Sequence, residues 1–442
     1  MLTSALEPVQ SARFLARGPR QIDEIAARFG LSDEIRETVR RLSLVLPFRV
    51  NDYVLSHLVD WRDVPGDPIF QMVFPQRGML AAEDERQLAN LLDEGAPKSR
   101  IAGVVQGIRA RLNPHPSGQK ELNVPHLDGV PLAGVQHKYR ETVLYFPANG
   151  QSCHAYCTYC FRWAQFVGDA DLRFAAPGPE QLIAYLRRHP EVGDVLVTGG
   201  DPMVMSTARL RDHLMPMLRV DSIRTLRIGT KSLAYWPQRF TTDKDAEDVL
   251  RLFEDIVASG RNLALMAHFS HPRELETDLV RRALARIRST GALVYGQAPL
   301  IAHVNDDART WAELWRAELS AGVVPYYLFV ERDTGPHDYF KVPLAQAFDI
   351  FRNAYANLPG LARTVRGPVM SATAGKVVVD GIEHAERDTY FQLRLLQARD
   401  PLLVGRPFRA HYSSTASWID QLRLEAGTPA DIAAALLAPD GK

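Results

Sequence analysis

The sequence predicts an α/β protein, a partial (β/α)6 TIM-like barrel with an N-terminal helical segment and a C-terminal extension. Three observations predict it. From about residue 141, six short apolar runs alternate with amphipathic helical patterns, and such alternation implies parallel strands joined by right-handed crossovers. The helical patterns place apolar residues three and four apart, so each helix buries one stripe. The 442-residue chain is long enough for one barrel of about 200–250 residues with segments added at both ends. The expected divisions are 1–135, mainly helical; 136–355, the barrel; and 356–442, the C-terminal segment.

The elements follow in order. Residues 21–29 and 33–44 read as helices. They could pass for a helix-turn-helix, but no basic recognition face follows, so two packed helices are the preferred reading. Residues 113–137 are rich in Pro, Gly and His and read as a connection. The six strand-like runs are 142–146, 195–198, 225–228, 263–269, 292–297 and 323–330. Between them, 181–189 ends before Pro190, and 245–259 carries Val249, Leu252, Phe253 and Ile256 and stops at Gly260. Residues 275–289 carry Leu275, Leu279, Ala283 and Ile287, and 310–320 carry Trp311, Leu314, Trp315 and Leu319. Leu344, Phe348 and Phe351 continue the pattern, and 418–426 reads as a packing helix. In such folds the functional residues sit at the C-terminal ends of the strands.

Composition excludes several functions. Lys+Arg and Asp+Glu number 52 each, which argues against a nucleic-acid partner or an anionic membrane surface. No apolar run approaches the roughly 18 residues of a membrane span. Residues 1–18 lack the apolar core of a secretory leader, so a cytoplasmic location is expected. GxSxG, HExxH and P-loop sequences are absent.

All three cysteines fall within eight residues, as Cys153-His154-Ala155-Tyr156-Cys157-Thr158-Tyr159-Cys160. Clustered thiols suggest a metal site rather than a disulfide framework. Thiolates are the usual ligands of iron–sulfur clusters. Three thiolates on a four-iron cubane leave one iron open to a further ligand. The alternative, structural zinc, usually takes four ligands in wider-spaced pairs, and His154 is awkwardly adjacent to Cys153. After the second run comes Thr198-Gly199-Gly200-Asp201-Pro202, where glycines allow close approach of backbone to a ligand.

The cysteine motif after the first strand resembles that of the radical S-adenosylmethionine (SAM) superfamily, and the glycine motif resembles its segment at the SAM amino group. Within the superfamily the chain resembles the lysine 2,3-aminomutase family over about residues 135–380. The matching segments include His137-Lys138-Tyr139, Arg227-Ile228-Gly229-Thr230, Pro237-Gln238-Arg239, His268-Phe269-Ser270-His271-Pro272, Gly296-Gln297, Val304-Asn305-Asp306 and Pro325-Tyr326-Tyr327. The resemblance implies a [4Fe-4S] cluster on Cys153, Cys157 and Cys160, SAM, and pyridoxal 5′-phosphate (PLP) on Lys376. It also implies a 2,3-aminomutase, an isomerase moving an α-amino group to the β-carbon. Gly199, Gly200, Asp201, His268 and Gln297 are the expected SAM or PLP contacts, and Lys138 and Tyr139 those at the PLP phosphate and ring. Lys138 stands where the family has an arginine, and Thr142 where it has a second. Arg162 is implied to grip the substrate's α-carboxylate, as an arginine fork can. A Schiff-base lysine must be neutral, which a desolvated site promotes.

Lysine-using members hold the side-chain ammonium with two aspartates. Their positions here carry Arg332, between Glu331 and Asp333, and Val369. An ammonium facing those two would be buried and unpaired, at a cost of about 3–5 kcal/mol. L-Lysine is therefore disfavoured against an acidic or uncharged amino acid. If Arg332 turned outward, Asp333 or Glu331 would line the pocket instead. The expected partners are a small amino acid and an electron donor such as flavodoxin or ferredoxin. With no further cysteine, a homo-oligomer could not be held by an added zinc site. The rival readings are another radical reaction (dehydrogenation, epimerisation or modification of a protein lysine) and a non-catalytic zinc-binding scaffold.

Overall fold

A computed structural model describes residues 14–114, 123–168 and 173–437. Residues 1–13, most of the stretch where a leader would lie, and 115–122 of the predicted connection are outside it. The core is one eleven-stranded sheet whose strands follow chain order. They are β1 (Val135–Tyr139), β2 (Thr142–Tyr145), β3 (Asp194–Val197), β4 (Thr225–Thr230), β5 (Asn262–His268) and β6 (Leu293–Leu300). Then come β7 (Val324–Val330), β8 (Arg366–Ser371), β9 (Gly375–His384), β10 (Thr389–Ala398) and β11 (Pro407–His411).

Strands β2 to β8 run parallel, while β1 pairs antiparallel with β2 and β9 to β11 extend β8 antiparallel. The six predicted strands are β2 to β7, so the α/β partial barrel is the observed architecture. The sheet curls: Lys138 of β1 donates to the carbonyl of Ala372 just after β8, and Arg399 just after β10 donates to Asn123 in the segment leading to β1.

Two features differ from expectation. A seventh parallel strand, β8, follows the helix Leu344–Ala356. Its core, Gly367 to Met370, is buried, but it lacks the alternating pattern that marks a half-buried strand. The segment 418–426 is not a helix: it makes one short turn, Ile419–Gln421. Trp418, Ile419 and Leu422 are buried there against the outer face of β9 to β11. The helix of this region comes later, at Ala430–Leu437.

The barrel helices show why the periodicity was readable. The helix Ala246–Ala258 buries Val249, Leu252, Phe253 and Ile256 completely, each contributing about 1.5–3 kcal/mol. Gly260, with φ of 78°, lets the chain turn away. The helix Asp278–Ser289 starts three residues later than predicted because a short turn, Pro272–Leu275, precedes it and Thr277 caps it. Asp307 caps Ala308–Ser320 by accepting from Thr310 N–H at 2.9 Å. Among the described residues no helix is long and apolar enough to cross a membrane.

Candidate active site

A cavity of about 450 Å³ opens at the C-terminal ends of the parallel strands. The loop after β2 carries the cysteines, and the N-terminal region holds that loop in place. Thr158 donates from N–H to Met72 O and from Oγ1 to Gln71 O, both at 2.8 Å. Tyr156 N–H donates to Arg49 O at 2.9 Å, and Arg49 Nη1 donates to Ser152 Oγ at 2.8 Å. Fully buried Asn51 donates to His154 O (3.2 Å) and Tyr235 O (2.9 Å).

Cys153, Cys157 and Cys160 all line the cavity and none is in a disulfide. Burial pushes each thiol up, Cys160 to about 12, so thiolates here require a bound cation. Among the described residues no three His, Cys, Asp or Glu side chains converge on the point that one ion needs. All three thiols border the one cavity, and a trio of thiolates is the donor set of an iron–sulfur cluster. His154 is committed through Nδ1 to Ser232 Oγ at 2.8 Å, and burial pulls it down to about 3.

The glycine pair sits against this loop. A Cβ on Gly200 would lie 2.5 Å from the Ser152 backbone, and Gly199 has a φ of 153°. Only glycine permits that approach. Asp201 lines the cavity, but its carboxylate is fully engaged. Oδ1 accepts from Met203 N–H (2.9 Å) and Thr230 Oγ1 (2.8 Å), and Oδ2 from Lys231 N–H and Ser232 Oγ (both 2.9 Å). It clamps the glycine turn to the end of β4, in place of the expected direct cofactor contact.

Opposite lies Lys376, the second residue of β9. A Cβ on Gly375 would fall 2.0 Å from Gln397 O, so that glycine serves the tight pairing of β9 with β10. Lys376 Nζ lies 4.4 Å from the Tyr327 ring centroid and 5.7 Å from that of Tyr139. Burial, then the charges of Arg227 and Arg366, pull its amine from 10.5 down to about 7. A ring-lined amine that is neutral for a large share of the time near pH 7 fits the lysine of a PLP site. Lys138 and Arg399, both on the cavity wall, approach the carbonyls of Ala372 and Thr373 just ahead of it. They could hold a phosphate group.

Arg162 is buried to 7% exposure. Its Nη2 donates to Gln165 Oε1 at 2.6 Å, and its guanidinium carbon lies 4.2 Å from the Phe146 ring centroid. Its Nε has no partner. Burial lowers it to about 10, so it stays cationic at neutral pH. His268 is half-buried and held well below its ordinary value by desolvation and by Lys231, so it is a neutral imidazole. It, Gln297, Tyr139 and Arg332 line the cavity.

Two expected residues do not line it. Val369 is fully buried between Tyr327 and Val378, behind the aromatic wall. Asp333 follows Arg332 in the turn after β7 and is no part of the cavity wall, whereas Arg332 and Glu331 both belong to it. Sequence reasoning missed Lys231, which forms a 2.7 Å ion pair with fully buried Glu274, and Arg399. Lys231 adjoins the matched segment ending at Thr230, a usable signal; nothing local marks Arg399.

No family model matches the chain. A lysine 2,3-aminomutase-like protein of Aquifex aeolicus (strain VF5) is 30% identical over 390 residues, covering 88% of this chain and 91% of its own. The L-lysine 2,3-aminomutase of Acetoanaerobium sticklandii is 26% identical over 340 residues, 77% of this chain and 70% of that one. That of Escherichia coli (strain K12) is 29% identical over 241 residues, 53% of this chain and 67% of that one. Among solved structures, a radical SAM methyltransferase from Sphaerobacter thermophilus gives a TM-score of 0.36 at 15% identity, covering 63% of this chain and 91% of that one.

Proposed function

The chain belongs to the lysine 2,3-aminomutase-like family of radical SAM enzymes, and from that premise we propose that it is a PLP-dependent amino-acid 2,3-aminomutase. One observation carries the reading: three cysteine thiols, the buried cation Arg162 and the proton-poor amine of Lys376 open into one cavity. When bound, SAM on the iron–sulfur cluster would supply a carbon radical, and PLP a conjugated ring that stabilises radicals beside the migrating nitrogen.

The chain's own residues do the rest. Cys153, Cys157 and Cys160 would hold the cluster, and the turn at Gly199 and Gly200 would let SAM lie against backbone. Lys376 would hold PLP covalently, and its low proton affinity keeps the amine nucleophilic near neutral pH. Lys138 and Arg399 would receive the PLP phosphate, and Tyr139 would pack on its ring. The unpartnered Nε–H of Arg162 would receive the substrate's α-carboxylate, fixing the β-carbon relative to the cluster. His268, at the end of β5, and Gln297, paired beside it within β6, would face the cofactors as neutral polar groups. Aromatic walls from Phe146, Tyr326 and Phe329 would keep water from a radical. A ferredoxin or flavodoxin of the cytoplasm would supply the electron.

The test is anaerobic incubation of reconstituted protein with SAM, PLP, dithionite and a pool of amino acids. The expected outcome is a β-amino acid. Deoxyadenosine without any β-amino product would refute the reaction while leaving the radical chemistry in place.

A further inference from the structure

The cavity wall carries more cations than the cofactors and an α-amino acid backbone use, and the surplus lies at one place. Lys231 is neutralised by Glu274, and Arg227 by Asp194, whose Oδ1 accepts from Arg227 Nε at 2.8 Å. Lys138 and Arg399 flank the segment before Lys376, the place for a phosphate carrying about two negative charges. Arg162 answers one carboxylate. Arg332 remains. It has no carboxylate within ion-pair distance among the described residues. Its guanidinium carbon lies 5.7 Å from the ring centroid of Phe161, beside Cys160. Arg332 lines the cavity, and its charge reaches Tyr139.

The neighbouring carboxyl does not cancel it. Glu331 has 4% exposure, and its Oε2 lies 2.8 Å from His337 Nδ1. Its Oε1 has no partner. Burial pushes this carboxyl up to about 7, so at neutral pH a large share is protonated and could donate a hydrogen bond. The wall at the end of β7 therefore offers a guanidinium and a carboxyl that is only partly charged. The guanidinium repels an ammonium, and together the two groups can donate to an anion.

Resting on the aminomutase reading above, we propose that the substrate is an α-amino acid with a carboxylate side chain, its far carboxylate held by Arg332. The α-carboxylate goes to Arg162, so two arginines at separate places on the wall fix the two ends of the substrate. Val369, sealed behind Tyr327, takes no part.

The experiment measures equilibrium binding to cluster- and PLP-loaded protein without reductant, so that nothing turns over. L-Glutamate, L-aspartate, L-glutamine, L-asparagine and L-lysine are compared. We expect an acid to bind at least about tenfold more tightly than its amide, since a charge-assisted pair is worth more than a neutral one. Arg332→Gln should abolish that preference by weakening the acid at least about tenfold more than the amide, and Arg332→Lys should retain part of it. Equal binding of acid and amide, an equal loss of both in Arg332→Gln, or tighter binding of L-lysine would overturn the proposal. Should Arg332→Gln fold poorly, the acid-to-amide ratio of the unaltered protein decides alone. Turnover separates this proposal from the reading beneath it. A β-amino product from L-lysine alone sinks the acidic substrate and keeps the aminomutase. Arg332-dependent binding of an acid, with SAM cleaved and no β-amino product, does the reverse.

Discussion

Two lysines are buried in one cavity, and their surroundings are opposite. At the end of β4, Lys231 has a carboxylate oxygen of Glu274 at 2.7 Å, a carbonyl at 3.1 Å and a hydroxyl at 3.4 Å. At the start of β9, Lys376 has aromatic rings around it and the cations Arg227 and Arg366 as its leading charged neighbours, with Asp194 weaker. The same side chain is thus a bound counter-charge in one place and a nucleophile in the other. Burial alone does not decide which; the sign of the nearest charges does. The parallel half of the sheet, where the short turn Pro272–Leu275 after β5 brings in Glu274, builds the ion pair. The antiparallel extension places Lys376 against Tyr139 of β1 and Tyr327 of β7, with no carboxylate paired to it among the described residues, and builds the desolvated amine.

Four measurements would break or sharpen that contrast, the largest effect first. Lys376→Ala should lower aminomutase turnover by three or more powers of ten, as loss of a covalent anchor does, and should remove the visible absorption of lysine-bound PLP. Retention of both would mean that Lys376 is only a buried cation. Glu274→Gln should destabilise the fold by about 3–5 kcal/mol, because it strands the Lys231 charge. Denaturant unfolding reads this, and Lys231→Met with Glu274→Met should recover most of the loss.

The third measurement uses pH. Lys376 binds its proton less tightly folded (about 7) than its ordinary 10.5. Between those values the unfolded chain therefore holds more proton, and stability rises with pH. In PLP-free protein, Lys376→Met should be more stable than the parent at and below pH 7. The advantage should be a few kcal/mol, of order 1.4 for each pH unit between the folded and unfolded midpoints. It should shrink through pH 8–10 and vanish above about 10.5. An advantage flat across that range would refute the desolvated amine. Smallest is Asp201→Asn, which leaves donors of Lys231, Thr230 or Ser232 unmet for about 1–3 kcal/mol. Weaker SAM binding, measured by dialysis, should accompany it.

Much of this is legible in the chain alone. The strands at β2 to β7 announce themselves because helices with one buried stripe separate short apolar runs. The cysteines and the glycine pair are local motifs, and their spacing suffices. Arg162 and Lys376 are legible only through the family resemblance, since an arginine or lysine in isolation reads equally well as surface. β8 was hidden because a strand buried on both faces shows no alternation. Residues 418–426 mislead because buried Trp418, Ile419 and Leu422 mimic helical spacing while packing from an irregular segment. Val369 was misplaced by position counting: it lies at the expected register but behind Tyr327.

The sequence by itself determined the alternation of strand and helix, the three-thiol motif and the glycines that let loop meet strand. These depend on backbone geometry over a few residues, which a linear pattern records. The tertiary structure alone decided that Lys376 loses proton affinity, that Arg332 and not Asp333 forms the wall, and that Arg399 joins Lys138 beside Lys376. Those outcomes depend on which distant residues exclude water and supply the nearest charge, and the chain does not state them until the sheet has curled.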